Sequence, residues 1–293
     1  MAGKQVFLHT GAHRTGTSSF QLCLSENRAL LETEGFDLAY PGRDGAPQGQ
    51  LALRLPGLKA DKNDAAQLTE RARVHLQDLS PQSGRNLVLS EENIPGRMIH
   101  FYNGQFYPAA GSRLEALNAT LPGEVAHLVH VIRPYHELFV SAFRKRAEDN
   151  PVGPFEDISR NMAVFQGGWP EVIGLMRDIL RPARLTVIEY GKRGESRALL
   201  GHLIGVHADG FTEPDRALNI SATDAALFEL QRRYHAGERL SRKAWQRVIR
   251  DHAGDRVKRG FTHFRAGQVN RLSKRYQRDL EKLSQMEGVT LIA

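Results

Sequence analysis

The sequence predicts an α/β fold, a doubly wound and mainly parallel sheet flanked by helices. Three observations predict it. Short continuous apolar runs recur along the chain, helix-period segments separate them, and the first run leads straight into a glycine-bearing turn that opens a helix. Continuous apolar runs of four to six residues suit strands buried on both faces of a parallel sheet. Strands that alternate with helices imply right-handed crossovers, which wind helices onto both faces.

Val6-Phe7-Leu8 is the first expected strand. Asn86-Leu87-Val88-Leu89, His127-Leu128-Val129-His130-Val131-Ile132 and Leu185-Thr186-Val187-Ile188 follow, each succeeded by polar or turn-forming residues. Helical patterns cover 17–33, 64–79, 113–120, 135–148, 170–180, 196–205, 223–235 and 266–286; in the first, Phe20, Leu24, Leu30 and Leu31 fall roughly on one face. Residues 41–63 hold three prolines and several glycines and read as a loop or poorly ordered excursion. Residues 96–111, with Phe101, Tyr102, Phe106, Tyr107 and Pro108, form a second irregular stretch. No repeat and no break in composition divides the chain, so residues 1–293 are expected to form a single domain.

Composition narrows the function classes. Hydrophobic residues make up 41% and charged residues 25%, the balance of a globular protein with a sizeable core. A formal charge of +7 suits an anionic ligand, although the preference for Arg over Lys is also what a GC-rich genome produces. The cationic residues are spread along the sequence without interleaved aromatics, which argues against nucleic acid as a partner. Cys23 is the only cysteine, which excludes an internal disulfide and a cysteine-based metal cluster and suits a reducing compartment. The first apolar run meets His9 almost at once, unlike a signal peptide, and no stretch approaches the ~20 apolar residues of a membrane span. A cytoplasmic protein is expected.

The segment His9-Thr10-Gly11-Ala12-His13-Arg14-Thr15-Gly16-Thr17-Ser18-Ser19 lies where a strand gives way to a helix. Backbone N–H groups and the positive end of a helix dipole hold anions at such a place. The spacing G-x-x-x-x-G is that of a P-loop, and Ser18 stands at its Ser/Thr position. Thr17 occupies the place of the P-loop lysine, which argues against ATP or GTP chemistry. Amides and the hydroxyls of Thr15, Thr17 and Ser18 can still cradle a single phosphate. The alternative use of the same residues is a capped helix start, with Thr15 or Thr17 as N-cap.

Arg14-Thr15-Gly16-Thr17-Ser18 resembles the turn P-K-[ST]-G-[ST]-[ST] of the P-loop sulfotransferases, which binds the 5′ end of PAPS (3′-phosphoadenosine 5′-phosphosulfate). His13 replaces the proline, as in many bacterial members. Arg14 replaces the lysine that stabilises charge on the leaving phosphate oxygen; it keeps charge and donors, but its planar fork differs in reach from an ammonium. In 131–143, Arg133 at a strand end and Ser141 eight residues later resemble the family's second motif, which grips the 3′-phosphate. Arg offers phosphate a bidentate, permanently charged grip, Ser adds a hydroxyl, and Pro134 suits the first helical position.

Other likenesses are softer. Glu189-Tyr190 resembles a strand-end Tyr-Glu pair in reversed order, so Tyr190 falls either near the adenine or in packing. Residues 219–235 and Tyr276-Gln277-Arg278-Asp279-Leu280 resemble C-terminal features of bacterial members. Lys258-Arg259-Gly260 resembles the basic loop that closes over the 3′-phosphate in some members, or is a solvated basic turn.

The resemblance implies a sulfotransferase-like sheet of P-loop type, PAPS as sulfonate donor, no metal, and donor binding by Arg14, Thr15, Gly16, Thr17, Ser18, Arg133 and Ser141. Sulfonyl transfer also needs a group to take the acceptor's proton. Many bacterial members place a Glu two residues after a Ser at a strand's end, which Glu92 matches after Ser90; Glu91 is second. Either carboxylate could instead pair with an Arg and order the loop, and His9 and His13 are competing bases. The expected catalytic set is Arg14, Glu92 and His13, acting by direct in-line transfer, with 96–111 as a lid on the acceptor side. The acceptor class stays open among small molecules, carbohydrates and lipids. Two rivals remain: a nucleotide or small-molecule kinase, which lacks a Walker-B Asp here, and a non-catalytic nucleotide-binding protein.

Overall fold

The computed structural model describes residues 3–42, 45–215 and 221–293. Its centre is one six-stranded sheet: β1 (Gln5–Gly11), β2 (Phe36–Ala39), β3 (Asn86–Ser90), β4 (Glu124–Ile132), β5 (Leu185–Glu189) and β6 (Val289–Ile292). The order is β2-β3-β1-β4-β5-β6, and every neighbouring pair is parallel. Successive side chains enter opposite cores: Val6, Leu8, Leu87, Leu89, Leu128, Leu185 and Val187 face one, and Phe7, Val88, Val129, Val131 and Ile188 the other. Two-sided burial is why these strands read as unbroken apolar runs.

Eleven helices surround the described sheet: α1 (Thr17–Glu26), α2 (Arg28–Thr33), α3 (Lys62–Leu79), α4 (Ala110–Asn118), α5 (Tyr135–Ala147), α6 (Phe155–Ala163), α7 (Trp169–Leu180), α8 (Ser196–Ile204), α9 (Asp224–His235), α10 (Arg242–Asp251) and α11 (Ala266–Ser284). Phe20, Leu24 and Leu31 of α1 and α2 join Leu199 and Leu203 of α8 on one face. Leu76, Leu114, Leu138, Ile173 and Leu272, from α3, α4, α5, α7 and α11, cover the other. A third, smaller core joins α9 and α10 to the end of α5 through Leu227, Leu230, Val248, Ile249 and Ala147. No helix among the described residues is long and apolar enough to cross a membrane.

Several expectations need correction. The helix expected over 17–33 is broken at Asn27, whose side-chain amide donates to Cys23 O and Thr212 O (2.8 Å each) while its Oδ1 accepts from Thr212 N (2.7 Å). Such a side chain competes with the helical ladder. Strands β2 and β6 and helices α6 and α10 are additional. β2 carries Asp37 inside a four-residue run, and β6 is a half-buried edge strand, so neither shows a continuous apolar signal.

Among its described residues the stretch 41–63 is irregular up to α3, as expected for a loop, and it is anchored at several points. Pro41 bridges to Gln50, Leu51 and Leu55 are buried in the main core, and α3 begins at Lys62. Arg113 of α4 donates to Leu55 O and Pro56 O (2.9 Å each), to Ile94 O (3.0 Å) and to Asn93 O (2.6 Å). One buried guanidinium thus ties the 41–63 stretch to the segment after β3, and burial pulls its pKa down to about 10. The stretch 96–111 contains a 3-10 helix, Met98–Asn103, and runs into α4. Phe101, Phe106 and Tyr107 are buried and stack among Tyr135, Phe139 and Trp169, which anchors this segment in the main core.

Candidate functional site

The site grows from the sheet's switch point. The chain leaves β1 toward β2 on one side and leaves β4 toward β5 on the other, although β1 and β4 are neighbours. Diverging connections open a crevice at the carboxyl ends of the strands, the usual ligand position in such sheets. The ends of β1, β3, β4 and β5 deliver the loop after Gly11, Glu92, Arg133 and Tyr190 to one cavity of about 410 Å³.

The loop after β1 is shaped by its backbone. Ala12 N donates to Val131 O (2.8 Å), which ties the loop's start to β4. Arg14 has φ 67° and Gly16 φ 82°, both left-handed. Only Gly takes that conformation freely, so Arg14 is a strained residue at the crest of the turn. Gly16 is the N-cap of α1, and no side chain caps the helix there. The capping alternative for Thr15 and Thr17 is therefore not realised. Thr15 also departs from its expected place: its hydroxyl donates to Ala12 O (2.6 Å), and it is buried behind the cavity wall. Thr17, Ser18 and Ser19 do line the cavity. Thr17 Oγ1 is buried without a hydrogen-bond partner. An orphaned hydroxyl at the free N-terminus of a helix fits a bound anion.

Arg133 lines the same cavity as Thr17. Its Nε donates to Glu137 (3.0 Å), its Nη1 donates to Arg14 O (3.2 Å), and its guanidinium lies over the Tyr190 ring at 5.2 Å. Trp169 Nε1 donates to Arg133 O (3.1 Å) and fixes the strand end. Pro134 is the N-cap of α5, one position earlier than expected. Ser141 follows on α5 and also lines the cavity, as does Lys145 one turn later. Lys145 pairs with Glu148 (2.6 Å) and lies over the Trp245 ring. Tyr190 is on the cavity wall, half exposed.

The Arg14 guanidinium donates to Ser221 Oγ, which lines the same cavity. The next residues are held by Arg144, which donates to Ala222 O (2.7 Å) and pairs with Asp224 (2.5 Å). Asp224 also accepts from Arg259 N (2.7 Å), and Arg259 pairs with Asp255. The turn at Lys258-Arg259-Gly260 is exposed; Lys258 and Gly260 line an adjacent groove of about 800 Å³ that meets the first cavity at Ser221. Asn219 and Ile220 lie outside the described residues.

The four candidate bases separate. His9 is buried against the Phe20 ring, its Nδ1 bonded to Ser90 Oγ (2.9 Å), and burial holds its pKa well below the usual imidazole range. It is a core residue. Glu91 is buried, and its Oε1 accepts from Asn93 N (2.7 Å) and Asn93 Nδ2 (2.9 Å). That orientation leaves Asn93 Oδ1 as an acceptor, so His13 Nε2–H donates to it (2.8 Å). His13 Nδ1 then faces the Tyr107 hydroxyl at 3.4 Å. His13, with both ring nitrogens engaged, and Glu92 both line the cavity.

No group of His, Cys, Asp or Glu among the described residues is arranged to hold a metal ion. Of the predicted site residues, His13, Arg14, Gly16, Thr17, Ser18, Glu92, Arg133 and Ser141 meet at the cavity, and Thr15 does not. Lys145 and Met98 were not anticipated; the i, i+4 spacing from Ser141 was the available signal for Lys145. Comparison of the chain with protein-family models, curated proteins and solved structures finds no match to any of them.

Proposed function

We propose that the protein is a sulfotransferase that moves a sulfonate group from PAPS to a hydroxyl or amine of a small-molecule, carbohydrate or lipid acceptor. The observation that carries the reading is the meeting of two distant motifs at one cavity. Gly16, Thr17 and Ser18 line it together with Arg133 and Ser141, and Glu92 stands on the same wall. The sheet is then of P-loop, sulfotransferase-like type.

PAPS would supply an activated sulfonate whose leaving group is a phosphate. The α1 amides, Thr17 Oγ1 and Ser18 would bind that 5′-phosphate, with Arg14 offsetting the charge that develops there. Arg133 and Ser141 would hold the 3′-phosphate, and this remote binding orients the donor. Tyr190, already under the Arg133 guanidinium, offers a ring face to the adenine. Glu92 would accept the proton of the attacking hydroxyl or amine as the acceptor's bond to sulfur forms and the sulfur–oxygen bond to phosphate breaks.

The test is transfer of radiolabelled sulfonate from PAPS to pooled phenolic, carbohydrate and lipid acceptors. Labelled product that is lost in Glu92→Gln supports the reading; no transfer to any pool, with bisphosphate still bound, supports a second one. That second reading is a non-catalytic nucleotide-binding protein, and it is favoured by the Arg14 guanidinium being held by Ser221 at the cavity wall.

A further inference from the structure

Behind the loop lies a cation that the reading above leaves unused. Arg193, in the turn after β5, packs its guanidinium on the Cα side of Gly16: a Cβ built there would lie 3.1 Å from Arg193 Cζ and 3.2 Å from Nε. Its Nη2 donates to Gly16 O (3.3 Å) and Ser196 Oγ (2.8 Å), and its Nη1 donates to Gly194 O (3.1 Å). All three acceptors are neutral. Its Nε is buried and has no hydrogen-bond partner.

No carboxylate among the described residues lies within ion-pairing distance of it. Glu213, the acid in its neighbourhood, has both oxygens engaged by Ser196 N (3.0 Å) and Arg197 N (2.7 Å) at the start of α8. Removing a guanidinium from water without an opposing charge is costly. Position 16 accommodates it twice over, since glycine supplies both the left-handed turn and the missing side chain that the guanidinium displaces.

We propose that Arg193 is a half-buried cation of the loop's anion site, a positioning residue that takes over from behind Gly16 the charge that Thr17 does not supply from in front. The inference rests on reading the start of α1 as a phosphate site, and it adds a cation behind the loop to those that line the cavity. A phosphate-type anion at Gly16, Thr17 and Ser18 offsets the charge of Arg193 through the loop. Arg193 in turn holds the Gly16 carbonyl down and keeps the first free amides of α1 directed at the ligand.

The experiment is calorimetric titration of wild type, Arg193→Lys and Arg193→Met with two probes, adenosine 3′,5′-bisphosphate and inorganic pyrophosphate. Arg193→Met is expected to weaken both by roughly tenfold, the size of a partly screened charge–charge interaction, and to flatten their salt dependence. Arg193→Lys, which keeps the charge, is expected to recover most of the affinity. Equal affinities in wild type and a folded Arg193→Met would overturn the proposal and leave the nucleotide reading standing. Pyrophosphate binding that depends on Arg193, without bisphosphate binding, would keep this proposal and remove the nucleotide. Binding of neither probe by wild type removes both. Should Arg193→Met not fold, the decision passes to wild type labelled with ¹⁵N at arginine, its Nε signals assigned against Arg193→Lys. A shift of the Arg193 Nε–H on adding pyrophosphate supports the proposal, and an unmoved signal overturns it.

Discussion

Glu92 and Glu91 are neighbours in sequence with different surroundings. Glu91 is turned inward, where its carboxylate orders Asn93 and, through it, the ring of His13. Glu92 faces the cavity. Glu92→Gln is therefore expected to abolish sulfonate transfer while leaving bisphosphate affinity within about twofold, as for a group whose contribution is confined to the transition state. Glu91→Gln should instead lower thermal stability. A Glu92→Gln protein that turns over normally removes the base from this account. Arg133 links the two ends of the donor site, because it holds Arg14 O and also faces the cavity. Arg133→Ala should weaken adenosine 3′,5′-bisphosphate binding by about 1.5–3 kcal/mol in calorimetry, the range for hydrogen bonds to charged groups. Unchanged affinity would mean that the 3′-phosphate is held elsewhere.

Among the elements, the loop after β1 is fastened by Arg193, and residues 55–56 and 93–94 are fastened together by Arg113. Gly16→Ala places a Cβ in left-handed backbone and against the Arg193 guanidinium. Urea unfolding should show a loss of about 1–2 kcal/mol from the backbone alone. Arg113→Met leaves carbonyls of residues 55, 56, 93 and 94 without their donor. It should lower stability by about 3 kcal/mol or more, since each buried unsatisfied group costs about 1–3 kcal/mol. The elements legible in the sequence were those whose signal is local. β1, β3, β4 and β5 are buried on both faces and read as apolar runs, and the residues just past their ends turned out to line the cavity. β2, β6 and the break at Asn27 depend on partners far along the chain, among them Thr212. Thr15 looked like its neighbours Thr17 and Ser18, and only the fold of the turn sends its hydroxyl to Ala12. Arg193 carries no motif at all; its place under Gly16 is made by the tertiary fold.

The molecule as a whole buries three histidines on its central strands. His130 is fully buried with neither ring nitrogen bonded, and burial drives its pKa down to about 3. His127 donates from Nδ1 to Leu203 O and accepts at Nε2 from Thr186 (2.9 Å each), and burial lowers it to about 4. His9 is lowered in the same direction. Between these folded values and the unfolded value of about 6.5, the unfolded chain binds more protons than the native one. Stability is thus complete above pH ~6.5 and declines as the pH falls below it, by up to about 1.4 kcal/mol per pH unit for each histidine. Chemical unfolding at stepped pH should show that slope, and His130→Leu should reduce it by one histidine's share. A profile flat from pH 7 to pH 5 would contradict the burial of these rings. The cavity where four strand ends meet is tested most directly by thermal unfolding with adenosine 3′,5′-bisphosphate in the presence of a chelator. The account predicts a rise in Tm without Mg²⁺ that is lost in Arg133→Ala; no response to the bisphosphate, or stabilisation by Mg-ATP alone, would contradict it.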